Sequence, residues 1–355
     1  KNDPAETTGL AHYFEHLMFK GTTHFGTQNY EAERPLLDRI EQQFEVYRKT
    51  TDEAQRKAIY HVIDSLSYEA SKYAIPNEYD KLMAAIGANG TNAYTSFDVT
   101  CYTEDIPSNQ VQADRFKNSI IRGFHTELET VYEEKNMSLT QDPRKVSETM
   151  LAALFPHHPY GTQTVLGTQD DLKNPSITNI KNYYKTWYVP NNMAICLSGD
   201  FNPDEMIATI DKYFGDMKPN PNLPKLTVKP ETPITEPIVR EVLGPDAESV
   251  TLAWRFPGSA SKEYETQQIV SQIMNNGKAG LMDINLNQQQ KVLGAYAYVY
   301  NLSGYCAFIM QGRTKEGQTL DEVKDLFLGE IAKLKSGDFD ENMLQANINN
   351  FKKYQ

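Results

Sequence analysis

The sequence is poor in cysteine and in long apolar runs, and each absence excludes a class of protein. Its three cysteines, Cys101, Cys196 and Cys306, are far apart and in no CxxC spacing, which excludes a disulfide framework and a cysteine-based zinc site. We interpret them as small buried hydrophobic residues. No apolar run approaches the roughly 20 residues that span a bilayer, so we predict no transmembrane segment in this chain.

Positive charge is also scarce. The 35 Lys and Arg residues stand against 47 Asp and Glu residues, which gives a formal net charge of −12. Such a balance repels the phosphates of nucleic acids and of anionic lipids. We therefore expect no nucleic-acid partner.

The rest of the composition is that of a globular protein with a substantial core. The chain has 355 residues, of which 39% are hydrophobic and 23% charged, enough for two or three ordinary domains. Stretches with helical spacing of apolar residues alternate with strand-like stretches, among them residues 91–104 and 188–199. The mixture predicts an α+β fold.

Prolines mark a division of the chain. Residues 215–237 contain six prolines and almost no helical pattern, which is typical of a stiff interdomain connection. We place the boundary near residue 230 and predict domains at residues 1–229 and 230–355, because a similar order of strands and helices recurs after it. All seven histidines precede residue 159, so the second domain cannot supply a histidine-based site.

His12, Glu15 and His16 form an H-x-x-E-H motif on a predicted helix that opens near residues 7 and 8. Residues four apart lie on the same face of a helix, so both imidazoles can reach one metal ion. Glu15 lies close to that ion without needing to bind it, and can accept a proton from water that the metal activates. A chance match has a probability of about one per cent at this composition, and two histidines beside an apolar face can also be core residues. The motif therefore needs a third ligand.

Residues 126–137 offer that ligand. Glu127, Val131 and Glu134 follow at i, i+4 and i+7, on one stripe of a helix. Carboxylates inside such a stripe are costly to bury unless they are paired or metal-bound. The alternative is a solvated acidic face of Glu129, Glu133 and Glu134, which is the commoner meaning of a charge run. The residues alone leave both interpretations open.

Five segments of the chain carry a family resemblance. They are residues 12–22 (HYFEHLMFKGT), 92–96 (NAYTS), 127–134 (ELETVYEE), 158–167 (HPYGTQTVLG) and 188–214 (beginning YVPNNMAICLSGD). In this order they resemble motifs of the pitrilysin family of zinc peptidases, which includes insulysin and the mitochondrial processing peptidases. The resemblance covers most of residues 5–216 and, more weakly, the second domain.

The resemblance implies roles for five residues of the first and third segments. His12, His16 and Glu134 would bind zinc, and Glu15 would be the catalytic base. Glu127 would lie beside the ligands and support them.

The second segment implies a binding surface for substrate. Asn92, Ala93, Tyr94 and Thr95 would belong to an edge strand beside the zinc. A peptide would add to this edge as a further strand through main-chain hydrogen bonds.

The resemblance also implies an architecture. It predicts two structurally similar α/β-sandwich domains with mostly antiparallel sheet, the second of them incomplete here, since both ends of the sequence look cut. Complete enzymes of the family usually have two such two-domain halves, so we expect a second pitrilysin-like half, in the same chain or as a separate subunit. His16 and Glu134 are further apart than the family usually has them, and we interpret a helical hairpin at about residues 35–73 as an insertion. These features are compatible with a protease of the bacterial periplasm or cell envelope.

We therefore predict a zinc-dependent endopeptidase that cleaves peptides or unfolded polypeptides by metal-activated water. The alternative is a non-catalytic pitrilysin-like subunit that binds peptides or partner proteins. Such relatives generally have an eroded motif, whereas the motif here is whole.

Overall fold

The computed structural model of the protein describes residues 1–106 and 110–354, which form two compact units. The first comprises Lys1–Gln141 and His157–Pro233, and the second comprises Asp142–Pro156 and Ile234–Gln355. The division after residue 233 lies close to the boundary predicted near residue 230. Residues 142–156, however, belong to the second unit, although the predicted domain limits put them in the first.

The elements follow one another along the chain as α1 Leu10–Leu17, α2 Tyr30–Tyr47, α3 Glu53–Ser71, α4 Glu78–Ala85, β1 Asn89–Thr95, β2 Thr100–Asp105, α5 Gln110–Asn118, α6 Phe124–Leu139, α7 Asp142–Leu154, α8 Pro159–Thr162, α9 Gln169–Lys173, α10 Ile177–Trp187, α11 Pro203–Phe214, β3 Ser249–Pro257, α12 Lys262–Met274, β4 Gly294–Asn301, β5 Tyr305–Arg313, α13 Leu320–Ser336 and α14 Asn342–Tyr354. A 3₁₀ turn at Pro190–Asn192 and a π-helical turn at Asp283–Asn287 complete them. Helices and antiparallel strands are both present, and the fold is α+β as predicted. In the described part of the chain, no helix is both long enough and apolar enough to cross a bilayer.

The start of α1 is fixed by a close approach of two backbone segments. Gly9 precedes the helix with φ +80°, and a side chain there would lie 2.6 Å from the backbone of residues 166–167, so only glycine fits. The Asp3 carboxylate accepts the N–H groups of Gly9 and Leu10 at 2.9 and 3.0 Å. The predicted start at residues 7 and 8 is therefore too early, because Asp3 satisfies the first helical N–H groups from outside the helix.

The core of the first unit holds α1 in place. Phe14 and Leu17 of α1 are buried in one apolar cluster with Phe44 of α2, Ile63 of α3 and Val131 of α6. Burial of each such side chain contributes on the order of 1.5–3 kcal/mol. The two helices that carry the H-x-x-E-H motif and the acidic segment thus share one core.

The helical hairpin predicted at residues 35–73 is present as α2 and α3, and it begins earlier, at Tyr30. Asn29 caps α2 by accepting the N–H of Ala32, and Asp52 caps α3 by accepting the N–H of Gln55. Both caps are residues that favour helix starts.

Residues 91–104 form two strands and not the single strand that we predicted. Strands β1 and β2 pair in antiparallel register, with Ala93 opposite Tyr102. The N–H of Ser96 donates to the carbonyl of Val99 at 2.8 Å and closes the turn between them. Alternation of apolar and polar residues continues through this short turn, so period alone cannot separate one strand from a hairpin.

The strand predicted at residues 188–199 is wrong. The segment contains the 3₁₀ turn Pro190–Asn192 and then irregular backbone, and Ile195 and Leu197 are 47% and 41% exposed. An apolar run predicts a buried strand only if another strand pairs with it, and none of the described residues does so here.

The second unit contains a three-stranded antiparallel sheet in the order β3-β5-β4. The sequence predicts one strand at residues 249–256, two strands at residues 294–311 and helices around them, and the structure has β3, β4 and β5 with helices α12, α13 and α14 at these places. Phe308, Met310, Val323 and Phe327 form part of its buried core. Residues 142–156 join this unit because the Phe155 ring lies 5.4 Å from that of Tyr305.

Candidate metal centre

Helix α1 carries polar side chains in buried positions. His12 is 8% exposed and Glu15 is 7% exposed. The rings of His12 and His16 lie 4.7 Å apart at an interplanar angle of 67°. Burial of polar groups is unfavourable unless they are paired or coordinated, so this face is built for contacts.

The structure brings Glu134 of α6 to the two histidines. Its Oε2 lies 3.7 Å from His12 Nε2 and 3.6 Å from His16 Nε2. The three ligand atoms all lie within 4.8 Å of one another, which makes this trio a group that could hold a metal ion. The Glu134 side chain is 45% exposed, so the trio is open to solvent on one side.

The donor set and its spacing fit zinc. Two imidazole nitrogens and one carboxylate oxygen are a usual protein ligand set for catalytic zinc. Two ligand atoms in tetrahedral arrangement around zinc are separated by about 3.3 Å. The observed separations of 3.6 and 3.7 Å are close to that value.

Glu127 fixes the orientation of the His16 ring. Its Oε1 lies 2.8 Å from His16 Nδ1, and its Oε2 lies 2.5 Å from Lys20 Nζ. Burial opposes ionisation of Glu127, but the hydrogen bonds from His16 and Lys20 outweigh it and lower the pKa of the carboxyl group. The ionised carboxylate holds a proton on Nδ1 and leaves Nε2 available toward Glu134.

Burial likewise acts against ionisation of His16. The hydrogen bond to Glu127 and the charges of Glu127, Glu134 and Glu15 reverse that effect and raise the pKa of the imidazole. Three carboxylates around one imidazole make this a region of negative potential. Such a region attracts a divalent cation.

Glu15 lies beside the trio and is held by β1. Its Oε2 accepts a hydrogen bond from the Thr95 hydroxyl. Burial raises the pKa of Glu15, although the hydrogen bond from Thr95 and the charge of His16 partly offset it. A carboxyl group with a raised pKa is suited to taking up and returning a proton near neutral pH.

The four predicted substrate-binding residues lie together on β1. Asn92, Ala93, Tyr94 and Thr95 face β2 along one edge of the strand. Of the described strands, only β2 pairs with β1, so the opposite edge is unpaired in this part of the chain. Tyr94 is 54% exposed, and Thr95 donates a hydrogen bond to Glu15 of the H-x-x-E-H motif.

Lys20 and the hydroxyl of Thr95 have no role in the predictions made from the sequence. Lys20 lies four residues after His16, in the turn that follows α1. Residues four apart lie on the same side of a helix, so this spacing could have indicated that Lys20 lies beside Glu127. For Thr95 no local signal exists, because its contact with Glu15 spans 80 residues. Of the acidic segment, Glu127 is 6% exposed, whereas the side chains of Glu134 and Glu129 are 45% and 66% exposed. The stripe of Glu127, Val131 and Glu134 is therefore buried at its first two members and open to solvent at the third.

Comparison with protein families gives one match. Residues 176–351 match the peptidase M16 inactive domain. The match begins after the H-x-x-E-H motif and the acidic segment, so it does not include the trio.

Several relatives are described as zinc proteases or processing peptidases. The chain is 23% identical over 264 residues to the zinc protease PqqE of Helicobacter pylori, covering 70% of this chain and 58% of the relative. It is 25% identical over 314 residues to the uncharacterized zinc protease YmxG of Bacillus subtilis, covering 85% and 62%. It is 24% identical over 220 residues to the mitochondrial-processing peptidase subunit beta of Neurospora crassa, covering 60% and 36%. The chain thus spans less than two thirds of the length of each.

Solved structures show a similar fold. A protease from Helicobacter pylori matches with a TM-score of 0.76 and 20% identity over 99% of this chain and 76% of its own. Pitrilysin matches with a TM-score of 0.62 and 17% identity over 96% of this chain and 33% of its own. The first half of the periplasmic protease PqqL from Escherichia coli matches with a TM-score of 0.61 and 14% identity, over 99% and 69%. The match over residues 176–351 and the named relatives make this chain similar to proteins of the peptidase M16 family, the pitrilysin-like zinc proteases.

Proposed function

We propose that the chain is the zinc-binding part of an endopeptidase that cleaves peptides or unfolded polypeptides. The observation that carries the proposal is the convergence of His12, His16 and Glu134 with Glu15 beside them. The zinc protease relatives support it.

The chemistry is divided between the metal and the chain's own residues. When bound, zinc would polarise a substrate carbonyl and activate water for attack on it. Glu15 accepts a proton during the attack and returns it to the leaving amine. The Thr95 hydroxyl holds one oxygen of Glu15, which directs the other oxygen toward the reacting groups.

The substrate lies extended along the unpaired edge of β1 in this proposal. Main-chain hydrogen bonds to a strand edge hold a peptide without selecting its side chains. Thr95 lies at the end of the strand and contacts Glu15, so a peptide on this edge runs toward the proposed base. Asn92, Ala93 and Tyr94 would form the rest of that edge.

The whole activity requires a partner half in our proposal. This chain resembles the first half of the Escherichia coli protease PqqL, which is described as periplasmic. We extend to this chain both a second pitrilysin-like half, in the same chain or separate, and a location in the bacterial envelope.

Four substitutions test the proposal in the full chain. We expect wild-type protein to contain about one zinc per chain and, with a second pitrilysin-like half present, to cleave an internally quenched peptide. Glu15→Gln should retain the zinc and lose turnover by about 10²–10⁴. Glu134→Gln and His12→Ala should lose the zinc, whereas Glu133→Gln, its matched control one residue away, should retain both zinc and turnover. Metal content is measured by mass spectrometry and turnover by fluorescence.

The outcomes separate the alternatives. If Glu15→Gln loses zinc as completely as His12→Ala, Glu15 is a ligand and not a base. If wild type binds zinc and peptide but its turnover equals that of Glu15→Gln with any second half present, the chain is a non-catalytic peptide-binding subunit.

A further inference from the structure

A cavity in the first unit has no part in the proposed function. It has a volume of about 320 Å³ and lies where the α2–α3 hairpin meets α6, α10 and residues 119–123. Phe14, Ile121 and Tyr184 line its apolar surface. Its size is at the lower end of the range for small-molecule sites, which are mostly apolar with a few placed polar groups.

Three buried polar atoms of this cavity lack partners. Ser67 Oγ of α3, Ser119 Oγ and His125 Nδ1 of α6 have no hydrogen-bond partner among the described residues, and all three residues line the cavity. A buried polar atom without a hydrogen-bond partner destabilises the folded protein. Three of them around one cavity indicate that a bound molecule or water supplies the missing hydrogen bonds.

The hydroxyls and the imidazole can each donate or accept, so they do not by themselves select a charge. The charge of the bound molecule is instead indicated by the charged residues that line the cavity. Both oxygens of Glu33 are bound by Arg122 at 2.7 and 2.8 Å, and Lys181 is paired with Glu41.

One cation of the lining remains. Lys185, an exposed residue of α10, has no ion-pair partner in residues 1–106 and 110–354. Arg34 is only 3.9 Å from Asp38 in a pair that is more than half exposed on both sides, which is a weak interaction. Lys185 is therefore an exposed, unpaired cation among the described lining residues of an apolar cavity. The carboxylates near the His125 ring, those of Asp64 and Glu129, lie on the side of Nε2, at 3.7 and 3.9 Å, and not of the unpartnered Nδ1.

We propose that this cavity binds a small amphiphile with one carboxylate and an unbranched apolar chain. The chain lies against Phe14, Ile121 and Tyr184, the unpartnered hydroxyls and imidazole hydrogen-bond the carboxylate, and Lys185 supplies the opposite charge. The cavity lining includes Phe14 of α1 and Phe124–Thr126 of α6, so the ligand touches both helices that carry the metal trio without touching the trio.

Calorimetric titration with decanoate below its micelle concentration tests the site, with decan-1-ol and decylammonium as probes of the same chain length. We expect saturable binding of one decanoate per chain, weaker binding of decanol by at least about threefold and no binding of decylammonium. Ser67→Leu should weaken decanoate by at least about tenfold, because it fills the cavity and removes a hydroxyl.

Lys185→Gln should weaken decanoate about two- to fivefold and leave decanol unchanged. Lys49→Gln is the control, because Lys49 is likewise an exposed lysine of the first unit but lies in the turn between α2 and α3 and does not line the cavity. Circular dichroism checks that Ser67→Leu is folded, and Lys185→Gln decides the question if it is not. No saturable binding to wild type, equal binding of decylammonium, or wild-type affinity in Lys185→Gln would overturn the proposal and leave a water-filled cavity.

Discussion

The two units of this chain use buried polar residues in different ways. In the first, His12, Glu15 and Glu127 are buried around the candidate metal site. His12 lies beside Glu134, Glu15 accepts a hydrogen bond from Thr95, and Glu127 is paired with His16. In the second, the buried carboxylates Asp283 and Glu330 lie apart and accept hydrogen bonds from amide groups, such as the backbone N–H of Asn276 and the side-chain amide of Asn285. The first pattern concentrates negative charge at one place, and in the second each carboxylate satisfies its own amide donors.

The sheets differ in the same sense. Strands β1 and β2 form a two-stranded hairpin with exposed residues such as Tyr94, whereas β3, β5 and β4 form a continuous antiparallel sheet with one apolar face in a core. A two-stranded hairpin needs packing from elsewhere for stability. The comparison teaches that the first unit keeps an accessible strand beside its polar cluster, and the second uses its sheet for stability.

The largest expected effect concerns that structural role. Phe327 of α13 is fully buried, and Leu328 beside it is 45% exposed. Phe327→Ala should lower the free energy of unfolding of the second unit by about 3–5 kcal/mol, and Leu328→Ala should change it by less than about 0.5 kcal/mol.

Fluorescence isolates this transition. Trp187 and Trp254 are the two tryptophans, one in each unit, so urea unfolding in a Trp187→Phe background follows Trp254 alone. Zinc content of folded Phe327→Ala should equal that of wild type. A loss of zinc at low urea would break the division of roles between the units.

The second prediction concerns the hydrogen-bond donors to the oxyanion, which our proposal assigns to a second pitrilysin-like half. Water activation is only part of the barrier to peptide hydrolysis, and removal of one donor to the developing oxyanion costs roughly 10²–10³ in rate in measured cases. We expect this chain alone to hydrolyse peptides poorly. Addition of a second pitrilysin-like half should raise kcat/KM by at least about 10² while zinc content stays constant. Full activity of residues 1–355 alone would contradict it.

Elements that depend on interactions between neighbouring residues are predictable from the sequence, whereas contacts between distant residues are not. Elements of the second unit were predicted because their alternation and caps are local, and Thr319 with Glu322 forms a capping box at the start of α13. The prediction that His12, His16 and Glu134 lie together rested on helical spacing and on the family resemblance.

Contacts between residues far apart in the chain could not be predicted from the sequence. The pairing of Thr95 with Glu15 depends on where β1 docks, and no local pattern encodes that. The strand prediction for the exposed segment at residues 188–199 is wrong for the same reason, because an apolar run predicts a strand without specifying the strand that pairs with it.

The third prediction tests the orientation of His16. Glu127→Gln keeps an acceptor for His16 Nδ1 but removes the charge that pairs with Lys20. Loss of such a supporting carboxylate weakens metal binding by about 10–100-fold. Competition with a fluorescent zinc chelator measures the affinity, and Glu129→Gln is the control because that side chain is 66% exposed. Equal zinc affinities in wild type and Glu127→Gln would remove Glu127 from the supporting role.

The smallest expected effect is residual zinc on the second unit. A catalytic zinc site usually takes three ligands from histidine, cysteine and carboxylate side chains, and residues 234–355 contain no histidine and one cysteine, Cys306. Cys306 is fully buried and contacts the carbonyl of Pro257, so it does not present a thiolate to a metal. In the full chain, the double substitution His12→Ala and His16→Ala should therefore leave fewer than about 0.1 zinc per chain after dialysis, with the near-ultraviolet dichroism of wild type as the check that the second unit is folded. The same substitutions keep the cores of both units, because the buried apolar residues Phe14 and Leu17 of α1 are unchanged. Stoichiometric zinc in this variant would show a second site outside the trio, and the contrast between a metal-binding unit and a structural one would then be wrong.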